Sequence, residues 1–155
     1  MTEQFYELMG LALDEARAAL AHDDVPVGAL VVRLSDGAVL ARRHNERELA
    51  GDPTAHAELL AITDAARDRD GWRLDDCALV VTLEPCPMCA GAALAARVPV
   101  VVFGAADAKA GALGSLYHLG SDPRLNHSME VHDGVRGEEC AGLLKEFFAN
   151  LRSAE

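Results

Sequence analysis

Leu83-Glu84-Pro85-Cys86-Pro87-Met88-Cys89-Ala90-Gly91-Ala92 is the stretch that decides the fold. It follows the apolar run Cys77–Leu83, which reads as a buried strand, and runs into the Ala-rich, helix-prone segment Cys89–Ala96, with Pro85 breaking the strand. A strand feeding a helix is half of an α/β unit, and it places two cysteines at the junction. Three residues apart at a helix start, Cys86 and Cys89 share one face of the first turn, where the helix N-terminus stabilises thiolates. Upstream, Pro53-Thr54-Ala55-His56-Ala57-Glu58 opens a second helix predicted over about His56–Arg69, with Thr54 as its cap.

The rest of the chain reads outward from these two junctions. Apolar residues recur at helical spacing from Gln4 to Ala21, with Thr2 as the expected cap. Gly28–Leu34 and Val39–Arg43 flank Ser35-Asp36-Gly37, the pattern of a hairpin. Glu46–Ala55 reads as a loop, Val98–Phe103 as a buried strand and Gly104–Pro123 as a long connection. Met129–His132 reads as a short strand and Glu138–Leu151 as a closing helix. Strands alternating with helices after a hairpin predict one α/β domain over residues 1–155, a three-layer α/β/α arrangement on a mixed sheet.

Composition bounds the function. The chain is 50% hydrophobic, enough for one core that needs no disulfide staples, so the Cys-x-x-Cys points to metal or redox use. No run approaches the roughly 20 apolar residues of a membrane span. Met1-Thr2-Glu3-Gln4 lacks the basic start of a signal peptide, so a cytoplasmic, membrane-free protein is expected. Fourteen basic against twenty-five acidic residues leave a net charge of −11, which opposes nonspecific attraction to nucleic acid. A nucleic-acid partner then needs a local basic patch or a pocket, and no DNA partner is expected.

Zinc favours nitrogen and sulfur donors, and a catalytic zinc keeps three protein ligands and one open position. His56, Cys86 and Cys89 supply three. Two thiolates formally cancel the charge of Zn²⁺, so a bound water is less acidified than in an all-histidine site and needs a base beside it. Glu58, two residues past His56, is the candidate proton shuttle. Glu84 reads as a structural hydrogen-bonding carboxylate, and Cys77 and Cys140 as buried apolar-type positions.

His-x-Glu followed by Pro-Cys-x-x-Cys is the pattern of zinc nucleobase deaminases. The chain also resembles the bacterial tRNA-specific adenosine deaminases of the cytidine/deoxycytidylate deaminase superfamily in several further segments. These are Asp24–Ala29, Asn45, Asp52–Glu58, Val81–Ala92, Val101–Ala105, Asp107–Lys109, Gly114–Leu116 and Asn126-His127. The resemblance implies a cytidine-deaminase-like fold, one zinc per subunit and a homodimer. It implies conversion of adenosine to inosine at the wobble position of a tRNA anticodon stem-loop, that of an arginine tRNA, with Asn45, Val27 and Ala57 at the base and Asp107, Lys109 and Asn126 facing the RNA. A deaminase of a free base or nucleoside such as guanine or cytosine is the second reading. A noncatalytic zinc-stabilised interaction module is the third, and it has no use for a carboxylate beside an open site.

Overall fold

The computed structural model describes residues 2–154 of the 155. Its sheet is built from β1 (Gly28–Arg33), β2 (Val39–His44), β3 (Cys77–Leu83), β4 (Val100–Ala105) and β5 (Glu130–His132), in the order β2-β1-β3-β4-β5. β1 runs antiparallel to both β2 and β3, whereas β3, β4 and β5 are parallel, so the sheet is mixed as expected. β1, β3 and β4 are nearly continuous apolar runs because both faces of the sheet are covered.

Alternation along those strands separates the two faces. Leu30, Val32, Val80 and Val102 pack with Phe5, Leu8, Met9 and Leu13 of α1 (Thr2–Ala18) and Cys140 of α5 (Gly137–Ser153). Ala29, Val31, Leu79, Val81 and Val101 pack with Ala61 and Ile62 of α3 (Ala57–Asp68) and Ala90 and Ala93 of α4 (Pro87–Ala95). Three layers result, α1 and α5 on one side and α3 and α4 on the other. Gly28 shows how closely α1 lies on the sheet: a Cβ there would stand 2.0 Å from the Ala12 carbonyl oxygen, so only glycine fits.

Several boundaries differ from the sequence reading for identifiable reasons. α1 begins at Thr2 itself and tightens into a 3-10 turn over Ala19–His22 before Asp23 adopts a left-handed conformation. The segment read as a loop contains a short helix, α2 (Arg47–Ala50). Its N–H groups at Glu48 and Leu49 donate to the Asp24 carboxylate at 2.8 and 3.2 Å, a cap supplied from more than 20 residues away. α4 starts at Pro87, two residues before Cys89, because proline is preorganised for the first helical position. β4 starts at Val100, since the Val98 N–H is taken by the Ala93 carbonyl at the exit of α4 and Pro99 has no N–H to give. Among the described residues no helix is long and apolar enough to cross a membrane.

Candidate active site

The N-termini of α3 and α4 meet at one end of the sheet, and each presents its first residues to the same point. His56 is the N-cap residue of α3, with extended backbone (φ −77°, ψ 145°), and Cys86 is that of α4 (φ −74°, ψ 173°). Neither uses its side chain to cap its own helix, which leaves imidazole and thiol free for another partner. Thr54, the expected cap of α3, instead donates its hydroxyl to Asp52 Oδ1 at 2.8 Å in the preceding turn. The first amide of α3 is capped from β2's end: Asn45 Oδ1 accepts the Ala57 N–H at 2.9 Å, and Asn45 Nδ2 donates to the Val25 carbonyl at 3.0 Å. One buried amide side chain therefore ties the strand end, the Val25–Val27 segment and the histidine-bearing helix together.

His56 Nδ1 lies 3.7 Å from Cys86 Sγ and 3.6 Å from Cys89 Sγ, and the three ligand atoms all fall within 4.8 Å of one another. Zn–S and Zn–N bonds of usual length at a tetrahedral angle separate sulfur from nitrogen by about 3.6 Å. The donor set and its spacing therefore fit zinc. The charge balance agrees. A hydrogen bond from Cys89 and another with His56 hold the Cys86 thiol down at about 3 despite burial, whereas bonding to Cys86 and burial push Cys89 up. One thiolate is thus already favoured beside the imidazole, and a divalent cation binding there would displace the proton of the second thiol.

Glu58 follows in the first turn of α3 and is 4% exposed. Burial pushes its carboxyl up to about 7, opposed by a backbone N–H, by His56 and by a hydrogen bond from Cys89. It stands beside the ligands without being part of the His56-Cys86-Cys89 cluster. A carboxylate so placed can exchange protons near neutral pH.

The ligands open onto a cavity of about 570 Å³, a size suited to a nucleobase with its sugar. His56, Glu58 and Cys86 line it, together with Val27, Asn45, Asp107 and Lys109 from the sequence reading. Ala57 is fully buried and meets the site through its backbone N–H. Asn126 is exposed in the connection after β4 and does not line the cavity. Asp107 turns its side chain inward, Oδ1 accepting the N–H of Lys109 at 3.1 Å and of Ala110 at 3.2 Å, so it shapes the wall that carries Lys109.

Sequence reasoning did not find Arg47, Ala106, Ala110, Leu144 and Phe148 as lining residues. Arg47 sat in a segment read as loop, and Leu144 and Phe148 come from α5, roughly 60 residues beyond the cysteines. The apolar periodicity of α5 was visible, but not that one edge of it reaches past the sheet to close the site.

Known proteins with these features are numerous. Residues 2–105 match the cytidine and deoxycytidylate deaminase zinc-binding region. A tRNA-specific adenosine deaminase of Bacillus subtilis (strain 168) is 48% identical over 141 residues, 91% of this chain and 86% of that protein. A structure solved in a study of A-to-I editing by tRNA:A34 deaminases at the wobble position of transfer RNA superposes with a TM-score of 0.83 at 43% identity, covering 88% of this chain and 97% of that one. The guanine deaminase of Nitrosomonas europaea superposes at 0.76 with 29% identity, covering 91% and 82%. With the ligand cluster, the buried carboxylate and the likeness along nearly the whole chain all in agreement, the chain belongs to the tRNA-specific adenosine deaminases of the cytidine and deoxycytidylate deaminase superfamily, a family of zinc-binding enzymes.

Proposed function

We propose that this protein hydrolyses the 6-amino group of adenosine at the wobble position of a tRNA anticodon stem-loop, giving inosine and ammonia, with the base flipped out of the loop into the cavity. His56, Cys86 and Cys89 hold the zinc, which when bound supplies the Lewis acidity that makes a water molecule nucleophilic. Glu58 takes a proton from that water and delivers it to the ring nitrogen N1 as oxygen bonds to C6. Glu58 then passes the proton of the new C6 hydroxyl to the amino group, and ammonia leaves as the C6–N bond breaks and the C6–O double bond forms. Val27 and Asn45 border the base. The cavity's apolar walls and the burial of Glu58 keep bulk water from competing for those protons.

The observation that carries the RNA substrate is where the free cations lie. Of fourteen Lys and Arg, six form no ion pair among the described residues: Arg47, Arg67, Arg97, Lys109, Lys145 and Arg152. Four of those six gather at the site. Arg47 and Lys109 line the cavity, and Lys109, Lys145 and Arg152 line the adjoining cleft with Leu144 and Phe148. A chain of net charge −11 thus keeps unneutralised positive charge beside the mouth of the cavity, where a nucleotide's flanking phosphates would run, with an exposed aromatic ring among them. A free base carries no phosphate and has no need of them.

The same reading takes the enzyme as a cytoplasmic homodimer acting on an arginine tRNA. Leu116, Tyr117 and Leu125, exposed by 51%, 53% and 42% on the connection between β4 and β5, offer apolar surface for the partner subunit. In this reading Asn126, exposed and adjacent to that surface in sequence, meets the RNA from there.

The test is incubation of zinc-loaded protein with an RNA stem-loop carrying adenosine at the wobble position, beside free adenosine, adenine, guanine and cytosine, with inosine and ammonia as readouts. Inosine at that one position supports the proposal. Ammonia from a free base with untouched RNA overturns it in favour of the small-molecule deaminase.

A further inference from the structure

Glu84 lies two residues before Cys86, is 2% exposed, and is, among the described residues, the most heavily engaged carboxylate outside the proposed chemistry. Its Oε1 accepts the Asp107 N–H at 3.0 Å and the Ser115 hydroxyl. Its Oε2 accepts the N–H groups of Leu113 and Ser115, each at 3.0 Å. Four donors therefore converge on one side chain, all from the segment that follows β4. The main chain on either side reinforces the junction: the Glu84 N–H donates to the Ala105 carbonyl at 2.8 Å, and the Ala112 N–H to the Pro85 carbonyl at 2.9 Å.

The held segment begins at Asp107 and ends at Ser115, and its middle, Ala108-Lys109-Ala110, is cavity wall. Between the anchors the chain passes so close to the carboxylate that a Cβ on Gly111 would lie 2.3 Å from Glu84 Cδ and 2.4 Å from each oxygen. The polypeptide is thus wrapped around the carboxylate. Asp107, fixed at its N–H by Glu84, in turn organises the N–H groups of Lys109 and Ala110. The backbone that carries Cys86 and the wall that carries Lys109 are joined through one carboxylate.

We infer that Glu84 is a positioning residue for substrate: its carboxylate clamps the 107–115 loop to the cysteine-bearing junction, setting the cavity wall and Lys109 at a fixed distance from the metal ligands. The inference rests on the proposed RNA reading for its substrate. Only a carboxylate satisfies this set. In an amide, the NH₂ would face either the Asp107 N–H or both the Leu113 and Ser115 N–H groups, and two donors cannot bond each other. The wall would then detach while the metal ligands, held by α3 and α4, stay in place.

Glu84→Gln in the zinc-loaded protein tests this. The expected result is one zinc per chain, kcat within about threefold of the parent and KM for the wobble-adenosine stem-loop raised about tenfold, with faster hydrogen exchange at the Asp107, Leu113 and Ser115 amides. A KM rise smaller than threefold overturns the inference, and so does loss of zinc together with kcat, which would make Glu84 a support of the metal junction alone. If Glu84→Gln does not fold, Gly111→Ala, which drives a methyl into the carboxylate, and Ser115→Ala, which removes one donor, decide instead. A KM rise of threefold or more in either with zinc retained upholds the clamp, and unchanged KM in both overturns it. Should the parent itself leave the stem-loop untouched, the functional reading fails. The exchange rates of the three amides then still decide whether the clamp exists, and KM is read on whichever base the enzyme does turn over.

Discussion

Replacing Asn45 by alanine removes two hydrogen bonds at once, and the cost can be worked from what each leaves behind. The Ala57 N–H, bonded at 2.9 Å, belongs to a residue with no exposed surface, so its donor is stranded in the core. A buried unsatisfied donor costs about 1–3 kcal/mol. The Val25 carbonyl, bonded at 3.0 Å, lies beside the cavity, where water can replace the amide, and its loss costs about 0.5–1.5 kcal/mol. Together the variant should lose about 2–4 kcal/mol. At about 2–4 °C per kcal/mol for a chain of this size, that is a fall of roughly 5–15 °C in melting temperature. Asn45→Asp should lose less, because it keeps an acceptor for the Ala57 N–H and puts negative charge at a helix N-terminus, while setting an oxygen against the Val25 carbonyl. The assay is thermal unfolding followed by circular dichroism, with all three proteins at the same saturating zinc. A melting temperature for Asn45→Ala within about 2 °C of the parent would refute the argument that this side chain holds the strand end to the histidine-bearing helix.

Glu58→Ala is expected to keep zinc and fold but to lower kcat by at least about 100-fold, the usual contribution of a positioned proton shuttle, in single-turnover measurements of inosine formation. Cys86→Ser and Cys89→Ser should each lower the zinc content measured by elemental analysis well below one per chain, and unchanged zinc in either would remove that residue from the ligand set. Asp24→Asn should destabilise the protein in a pH-dependent way. Burial opposes the charge on Asp24, but the N–H of Glu48, His22 and the N–H of Leu49 outweigh it and hold the carboxyl below its ordinary 3.8. A depressed folded pKa contributes stability that is complete above 3.8 and lost as pH falls below it. The gap between parent and variant in urea denaturation should therefore be constant near neutrality and narrow under acid, and a gap indifferent to pH would exclude the charged cap.

The chemistry was legible in sequence because its geometry is local. His56 and Glu58 occupy one helical turn, Cys86 and Cys89 another, and the strand-to-helix change at Pro85 puts both cysteines at a helix start whatever the rest of the chain does. The three-layer architecture was legible for a similar reason: continuous apolar runs such as Cys77–Leu83 demand cover on both faces, and the flanking helical patterns supply it. The caps were misread or missed. Thr54 looks like the cap of α3 by position, but its hydroxyl is nearer Asp52, and the work falls to Asn45, 12 residues away. α2 receives no side-chain cap from its own N-cap residue, Glu46, and is capped instead by Asp24, 24 residues from Glu48.

The sequence by itself determined the His56-Cys86-Cys89 donor group, the place of Glu58 in the first turn of α3, and the order of strands and helices apart from α2. Only the tertiary structure decided that Glu84 gathers four donors from the 107–115 loop, that Leu144 and Phe148 of α5 close the cavity, and that four free cations collect beside its mouth. Periodicity and short spacing report only on neighbours within a turn or two of backbone. A hydrogen bond or a cavity wall made between segments far apart in the chain depends on how whole layers pack, and no window of sequence contains that.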